Sequence, residues 1–396
     1  MNRPLTVIFA AVILDAIGIG LIFPILPTLL ADVLHTDNVA PYIGVMTALY
    51  AVMQFVFAPV LGALSDRLGR RPVLLLSLSG AAVNYLFLAM APSLWLLLLG
   101  RAIAGLTSAN MAVASAYLTD MTPPEQRAGR FGLFNAMFGV GFIIGPILGG
   151  LLGDYWVRLP FIAAAALNFG NLLLAFVLLP ESRQPSRETL DLAALNPLRL
   201  LRWVFTLKSL WPVIVVFFIF STTGEAYGTV WALWGRESFA WNGLWIGLSL
   251  GSFGICQALI QAFLPGPAVR LLGERATIVT GTVCACLGLT VMALARDGWM
   301  IFAIMPVFAL AGIGVPALQS LATRQVEDSQ QGQFQGVVAA ALSLSSIVGP
   351  LLFSSLYVAV RAQWPGAIWL SVIAVYLLSL PLVLGLRFNT PAPAAP

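Results

Sequence analysis

The chain has 396 residues, 60% of them hydrophobic and only 9% charged, with a mean hydropathy of +0.94. Soluble domains carry about 25% charged residues, so this composition excludes a soluble globule and points to an integral membrane protein. The net charge of +4 sits in loops, where positive residues set orientation in a bilayer, and it implies no nucleic-acid partner.

After Met1-Asn2-Arg3-Pro4 the chain runs apolar from Leu5 to Leu30. That is too long for the apolar region of a signal peptide and Asp15 interrupts it, so an uncleaved first span over 5–30 is expected. Eleven more apolar runs follow, at 41–63, 72–91, 94–117, 131–152, 159–179, 211–233, 243–264, 275–295, 299–320, 334–355 and 366–386. A run of about 20 residues reaches roughly 30 Å as a helix, the hydrocarbon thickness of a bilayer. The outer loops hold Arg158, Arg236, Arg296 and Arg361, and Arg101 lies inside a span; every other Lys and Arg falls on the side of the N-terminus. That bias predicts both termini in the cytoplasm.

The segment 181–209, rich in Pro, Ser and charge, reads as a cytoplasmic linker between halves 1–180 and 210–396. The halves repeat. A constant shift carries Gly62, Leu68, Gly69 and Arg71 onto Gly266, Leu272, Gly273 and Arg275, and Gly145-Pro146 onto Gly349-Pro350. The expected fold is therefore an all-α integral membrane protein with twelve transmembrane helices in two parallel six-helix pseudo-repeats.

Between the second and third runs lies Gly62-Ala63-Leu64-Ser65-Asp66-Arg67-Leu68-Gly69-Arg70-Arg71. Its glycines permit a tight backbone path and Pro72 suits the first turn of the next helix. The plain reading is a positive anchor between two spans. More specifically, G-x-L-x-D-R-x-G-R-R resembles the signature between the second and third helices of major facilitator superfamily transporters. In the second copy Arg270 stands where Asp66 would be. The resemblance implies that Asp66 joins a charge cluster drawn from Arg67, Arg70, Arg71, Asp120, Arg127 and Arg130, latching the outward-open state.

Ionisable groups inside spans cost roughly 2.5–3.5 kcal/mol each on insertion scales and are functional candidates by default. They are Asp15, Arg101 and Glu225; the plainer alternative is that each is held by bundle partners for packing. Asp15 and Glu225 come from opposite halves near mid-membrane and are expected to flank one cavity. Leu99-Gly100-Arg101-Ala102-Ile103-Ala104-Gly105 resembles the fourth-helix motif of proton-coupled facilitators, which implies that Arg101 assists proton exchange. Gly141-x-x-x-Gly145-Pro146-x-x-Gly149-Gly150 resembles the fifth-helix antiporter motif, in which bare glycine faces allow close helix approach. Across nearly its whole length the chain is similar to bacterial tetracycline efflux proteins, in stretches such as Leu178-Leu179-Pro180-Glu181-Ser182 and Gly312-Ile313-Gly314-Val315-Pro316.

It departs from them at two membrane aspartates. Asn84 and Ala285 stand in their places, while Glu225 occupies a position where that group tends to have an amide. Proton coupling is therefore expected at Asp15 and Glu225. Substrate contacts are expected from Tyr50, Gln54, Asn84, Asn110 and Tyr227, and from Trp231, Gln257, Gln261 and Gln319, as stacking faces and neutral hydrogen bonds for a flat amphipathic molecule. Trp241 and Trp245 read as an outer interfacial belt. Cys256, Cys284 and Cys286 read as packing residues. With His35 as the one histidine, no metal site, cofactor or enzyme activity is expected.

The favoured function is a monomeric antiporter in a bacterial inner membrane, exporting a drug-like compound against inward proton flow. The alternative is a facilitator of a different solute with altered proton coupling. ATP-driven transport would need G-x-x-x-x-G-K-[ST], a pattern the sequence lacks.

Overall fold

The computed structural model describes residues 3–183, 211–323 and 331–385, with the side chains of 3, 128 and 331–333 excepted. The linker expectation therefore falls almost wholly outside the described residues. Sixteen α-helices are described: α1 (Arg3–Ile22), α2 (Leu26–Leu34), α3 (Ala40–Leu68), α4 (Arg70–Met90), α5 (Leu94–Leu106), α6 (Asn110–Asp120), α7 (Pro124–Tyr155) and α8 (Leu159–Leu178), then α9 (Trp211–Phe239), α10 (Gly243–Phe263), α11 (Pro265–Leu272), α12 (Glu274–Leu294), α13 (Gly298–Ala309), α14 (Gly314–Thr323), α15 (Gln331–Val360) and α16 (Ala367–Gly385). They form 12 helical segments long and apolar enough to span a membrane. Helices satisfy every backbone group within the segment, which is why they suit a hydrocarbon solvent.

Three expected single spans are broken. The first ends at Ile22 and resumes at Leu26, because Pro24 lacks an N–H and its ring clashes with the preceding turn. The fourth breaks between Leu106 and Asn110, where the Thr107 hydroxyl donates to Ile103 O at 2.8 Å. The tenth passes through a 3₁₀ turn at Leu310–Ile313. The last two breaks occupy matching places in the repeat. So do the turns into α4 and α12, where Gly69 (φ 104°) and Gly273 (φ 79°) adopt positive φ, a backbone region that glycine enters without a Cβ penalty.

Helix α7 packs on α1 and on α10, and α15 packs on α9 and α3, so these contacts join the two six-helix sets. All hydrogen bonds between the sets, among the described residues, lie at the end away from Asp66. Asp154 at the end of α7 accepts from Gly243 N at 2.6 Å and Leu244 N at 2.8 Å. Arg236 donates to Pro24 O at 3.3 Å, and Arg361 to Asp37 O at 3.1 Å while pairing with Glu237 at 2.6 Å. At the opposite end, positions such as Gly62, Gly129, Gly132 and Gly139 have nothing within 4 Å of an added Cβ. The bundle is closed at one end and parted at the other.

Asp154 closes that gate by offering both carboxylate oxygens to the first free N–H groups of α10, where the helix dipole also favours a negative charge. Asp154→Asn keeps the size but loses the charge. A hydrogen bond to a charged group contributes about 1.5–3 kcal/mol, so the ratio of opened to closed gate is expected to rise tenfold or more, by roughly 1.4 kcal/mol per decade. Distances between spin labels at His35 and Gln363 read this directly. A distribution identical to that of the unsubstituted protein would remove Asp154 from the gate.

Candidate functional site

Between the two helix sets lies a cavity of about 980 Å³. Asp15, Tyr50, Gln54, Asn84, Arg101 and Asn110 all line it. The break between α5 and α6 builds much of this wall, since it presents Ser108 and Asn110 side by side. Asn110 Nδ2 donates to Asp15 Oδ1 at 3.0 Å, Gln54 Nε2 donates to Ser108 Oγ at 2.9 Å, and Tyr50 Oη meets Ser108 Oγ at 2.6 Å. Asp15 is 6% exposed, and Asn110 is its one hydrogen-bond donor among the described residues. A carboxylate has about four acceptor sites, so this one is left with capacity for a proton or a substrate donor. Arg101 makes no ion pair with a described residue, and its Nε has no partner.

Ser108 escaped the sequence reading. The signal for it is the polar pair Thr107-Ser108 within an otherwise apolar run.

The other half supplies a different wall. Tyr227 is not on the cavity but stacks on Trp369 (centroids 5.3 Å, 19°) inside an aromatic core with Phe308. Trp231 lies in the same core, 4% exposed, its N–H donating to Ser249 Oγ at 2.9 Å. Gln257 sits against Gly312, while Gln261 and Gln319 are exposed, Gln319 donating to Gln335 at 3.4 Å. None of these five lines the cavity, because helical spacing alone does not say which face meets the partner half. Trp245 is half exposed as a belt residue would be, but Trp241 is buried against Phe239 and Phe302.

Glu225 is half-buried in the seam between α9 and α15, its Oε1 accepting from Ser346 Oγ at 2.6 Å. Gly349 gives it room, since a Cβ there would fall 2.6 Å from that of Glu225. The cavity wall begins one turn further on, at Gly228 and Thr229. Asp15 and Glu225 thus do not share one wall. Ala285 is fully buried in the core and Asn84 lies on the cavity.

The loop cluster stays within the first helix set. Arg70 pairs with Asp66 at 2.8 Å and Asp120 at 3.1 Å, and Asp66 also meets Arg183 at 2.8 Å. Glu181 caps α4 by accepting from Arg70 N and Arg71 N at 2.8 and 3.1 Å. Arg71 turns away to Phe176 O, Arg127 to Thr122 O, and Arg67 is exposed. Neither Arg127 nor Arg130 pairs with Asp66. The partner that the sequence reading missed is Arg183, at the start of the linker. Asp66→Asn is expected to slow transport several-fold while substrate affinity stays within about threefold, as a lost exposed pair of under about 1 kcal/mol acts on the state equilibrium and not on the cavity. Paired rate and binding measurements test this; a normal rate would leave Asp66 as a loop anchor.

Gly141, Gly145 and Gly149 place α7 against the backbone of α1 at Ile13, Ile17 and Leu21, and Gly150 and Pro146 meet Gly243 and Gly247 of α10. The motif therefore builds a contact on both sides of the molecular midline. The family model described as Major Facilitator Superfamily matches residues 8–250 and 225–396. The chain belongs to the major facilitator superfamily. This facilitator is 48% identical to the class C tetracycline resistance protein of Escherichia coli over 96% of each chain, and 44% identical to the class G protein of Vibrio anguillarum over 93% and 94%. In structure it is similar to the nucleoside transporter NupG, with TM-score 0.78 at 14% identity over 98% of each chain, a likeness of fold. The protein is a multi-pass membrane transporter with two six-helix pseudo-repeats.

Proposed function

We propose that this facilitator exports a drug-like amphipathic compound, tetracycline-like or of the multidrug type, in exchange for protons by alternating access. It works as a monomer in a bacterial inner membrane with both termini in the cytoplasm, and the described conformation is then the inward-open one. The observation that carries the reading is Asp15, a buried carboxylate with one protein donor on the wall of a large cavity that also carries amide and aromatic groups. The tetracycline resistance proteins to which it is similar support the substrate class. Arg101, on the same wall, adds a fixed positive charge to the cavity that holds Asp15.

Inside-out vesicles with and without an imposed proton gradient test this. Gradient-driven accumulation of tetracycline or of a cationic dye is expected, and accumulation that ignores the gradient would favour the second reading. That reading, a facilitator of another solute with altered coupling, draws on the neutral Asn84 and the buried Ala285.

A further inference from the structure

The two walls of the cavity are chemically unequal at positions that the repeat makes equivalent. Gly69 and Gly273, 204 residues apart, fix the register, and α4 and α12 begin and end in that same register. In this alignment Tyr50, Gln54, Ser108 and Asn110 correspond to Gly254, Ala258, Gly312 and Gly314. The first half thus has a hydrogen-bonding network where the second has no polar side chain at all.

The polar residues that the second half does present to the cavity are Thr229 and Ser343, and both spend their hydroxyls on their own helices. Thr229 donates to Glu225 O at 2.8 Å and Ser343 to Ala339 O at 3.0 Å. The rest of that wall is apolar and mostly small, with Gly228, Ala232, Gly336, Ala339 and Ala340 beside the larger Leu342. On the first half, by contrast, Asn84 Oδ1 and Asn110 Oδ1 have no partner, and buried polar atoms are normally paired.

One hydroxyl organises the polar side. Ser108 Oγ receives Gln54 Nε2 and meets Tyr50 Oη, side chains that come from another helix one turn apart. Its own position is fixed from both sides. A Cβ at Gly80 would run into the Thr107 hydroxyl, and one at Gly105 into Tyr50 O, so α3 and α4 clamp the α5–α6 break. A serine accepts two hydrogen bonds and donates one, which suits it to hold an amide and a phenol at once.

We propose that Ser108 is a positioning residue that orients Tyr50 and Gln54, so that selectivity for a substrate's polar edge resides in the first six helices and the second six supply shape alone. The inference rests on the export reading for its substrate class but not for its geometry. Loss of the hydroxyl frees both side chains, whereas Ser108→Thr retains it.

The test uses the full-length protein in nanodiscs. Tetracycline, which carries an edge of hydroxyl, carbonyl and amide groups, is compared with tetraphenylphosphonium, which carries no hydrogen-bonding group. Ser108→Ala is expected to lower the tetracycline to tetraphenylphosphonium affinity ratio by about fivefold to tenfold, and Ser108→Thr to restore it. Ala339→Val, on the opposite wall, is expected to weaken both ligands in parallel. A ligand-free readout accompanies these: the fluorine resonance of 3-fluorotyrosine at position 50 should shift in Ser108→Ala and return in Ser108→Thr. An unchanged resonance, or an affinity ratio within twofold of the unsubstituted protein, overturns the proposal. Should neither compound bind the unsubstituted protein, the export reading falls, and the resonance alone decides the role of Ser108.

Discussion

Glu225→Gln is expected to abolish proton-driven export while the protein still binds substrate. The carboxylate lies in the α9–α15 seam with Ser346 as its one hydrogen-bond donor among the described residues, and α14, α15 and α16, three of the helices packed on α9, carry no Asp, Glu, Lys, Arg or His. An ionised acid at such depth costs about 2.5–3.5 kcal/mol, so gain or loss of its proton changes the energy of this helix contact by a factor near a hundredfold in population. Gln keeps the acceptor for Ser346 but fixes the neutral state. Because Glu225 stands outside the cavity wall, its proton acts through the α9–α15 contact, and substrate affinity should change little. Asp15→Asn should instead act on substrate binding itself. Asp15 lines the cavity, so substrate and proton compete there, and the pH dependence of substrate binding should flatten. Substrate-induced proton release from purified protein separates the two. Release should be lost in Asp15→Asn and kept in Glu225→Gln, and proton-driven export by Glu225→Gln at the normal rate would assign coupling to the first helix and leave Glu225 a packing role.

Gly150→Val is expected to arrest the transport cycle without unfolding the protein. A Cβ at Gly150 would collide with Gly243 O of α10, and a backbone atom held inside a helix turn has no easy way to give. Overpacking of this kind costs about 1–3 kcal/mol, and only when α7 and α10 are in contact. The closed gate is therefore penalised and the parted state is not. Export should fall by about fivefold to a hundredfold, with the melting temperature nearly unchanged and a cysteine introduced on the cavity wall by Thr47→Cys newly reachable by a membrane-impermeant thiol reagent from the Asp154 side. Gly150→Ala should give an intermediate loss. Normal export from the valine variant would show that the contact is not needed for closure.

These two variants mark different depths of legibility. Asp15, Glu225 and the glycines of α7 stand out in the chain because a charge or a bare backbone in a hydrocarbon span is costly or conspicuous whatever surrounds it. The twelve spans and their repeat were readable for the same reason, since length and polarity are properties of local sequence in a uniform solvent. The side of a helix that meets the partner half is not such a property. Trp231 and Tyr227 have the same spacing whether they face a cavity or a core, and only the packing of Trp369, Phe253 and Phe308 around them decides for the core. Nor does Gln319 carry in its sequence context the fact that it points away.

The polar wall shows the same division. Tyr50, Gln54 and Asn110 were individually visible as polar residues in apolar runs, but their assembly on Ser108 and Asp15 needed the break between α5 and α6 and three separate helices. Likewise the loop signature announced a charge cluster around Asp66, while the choice of Arg183 over Arg127 depended on where the chain returns after α8. Sequence by itself determined what must be hidden from lipid and where the chain crosses. The tertiary structure decided which polar groups meet, because hydrogen bonds and close backbone contacts act over about 3 Å and that proximity exists only once the helices are packed.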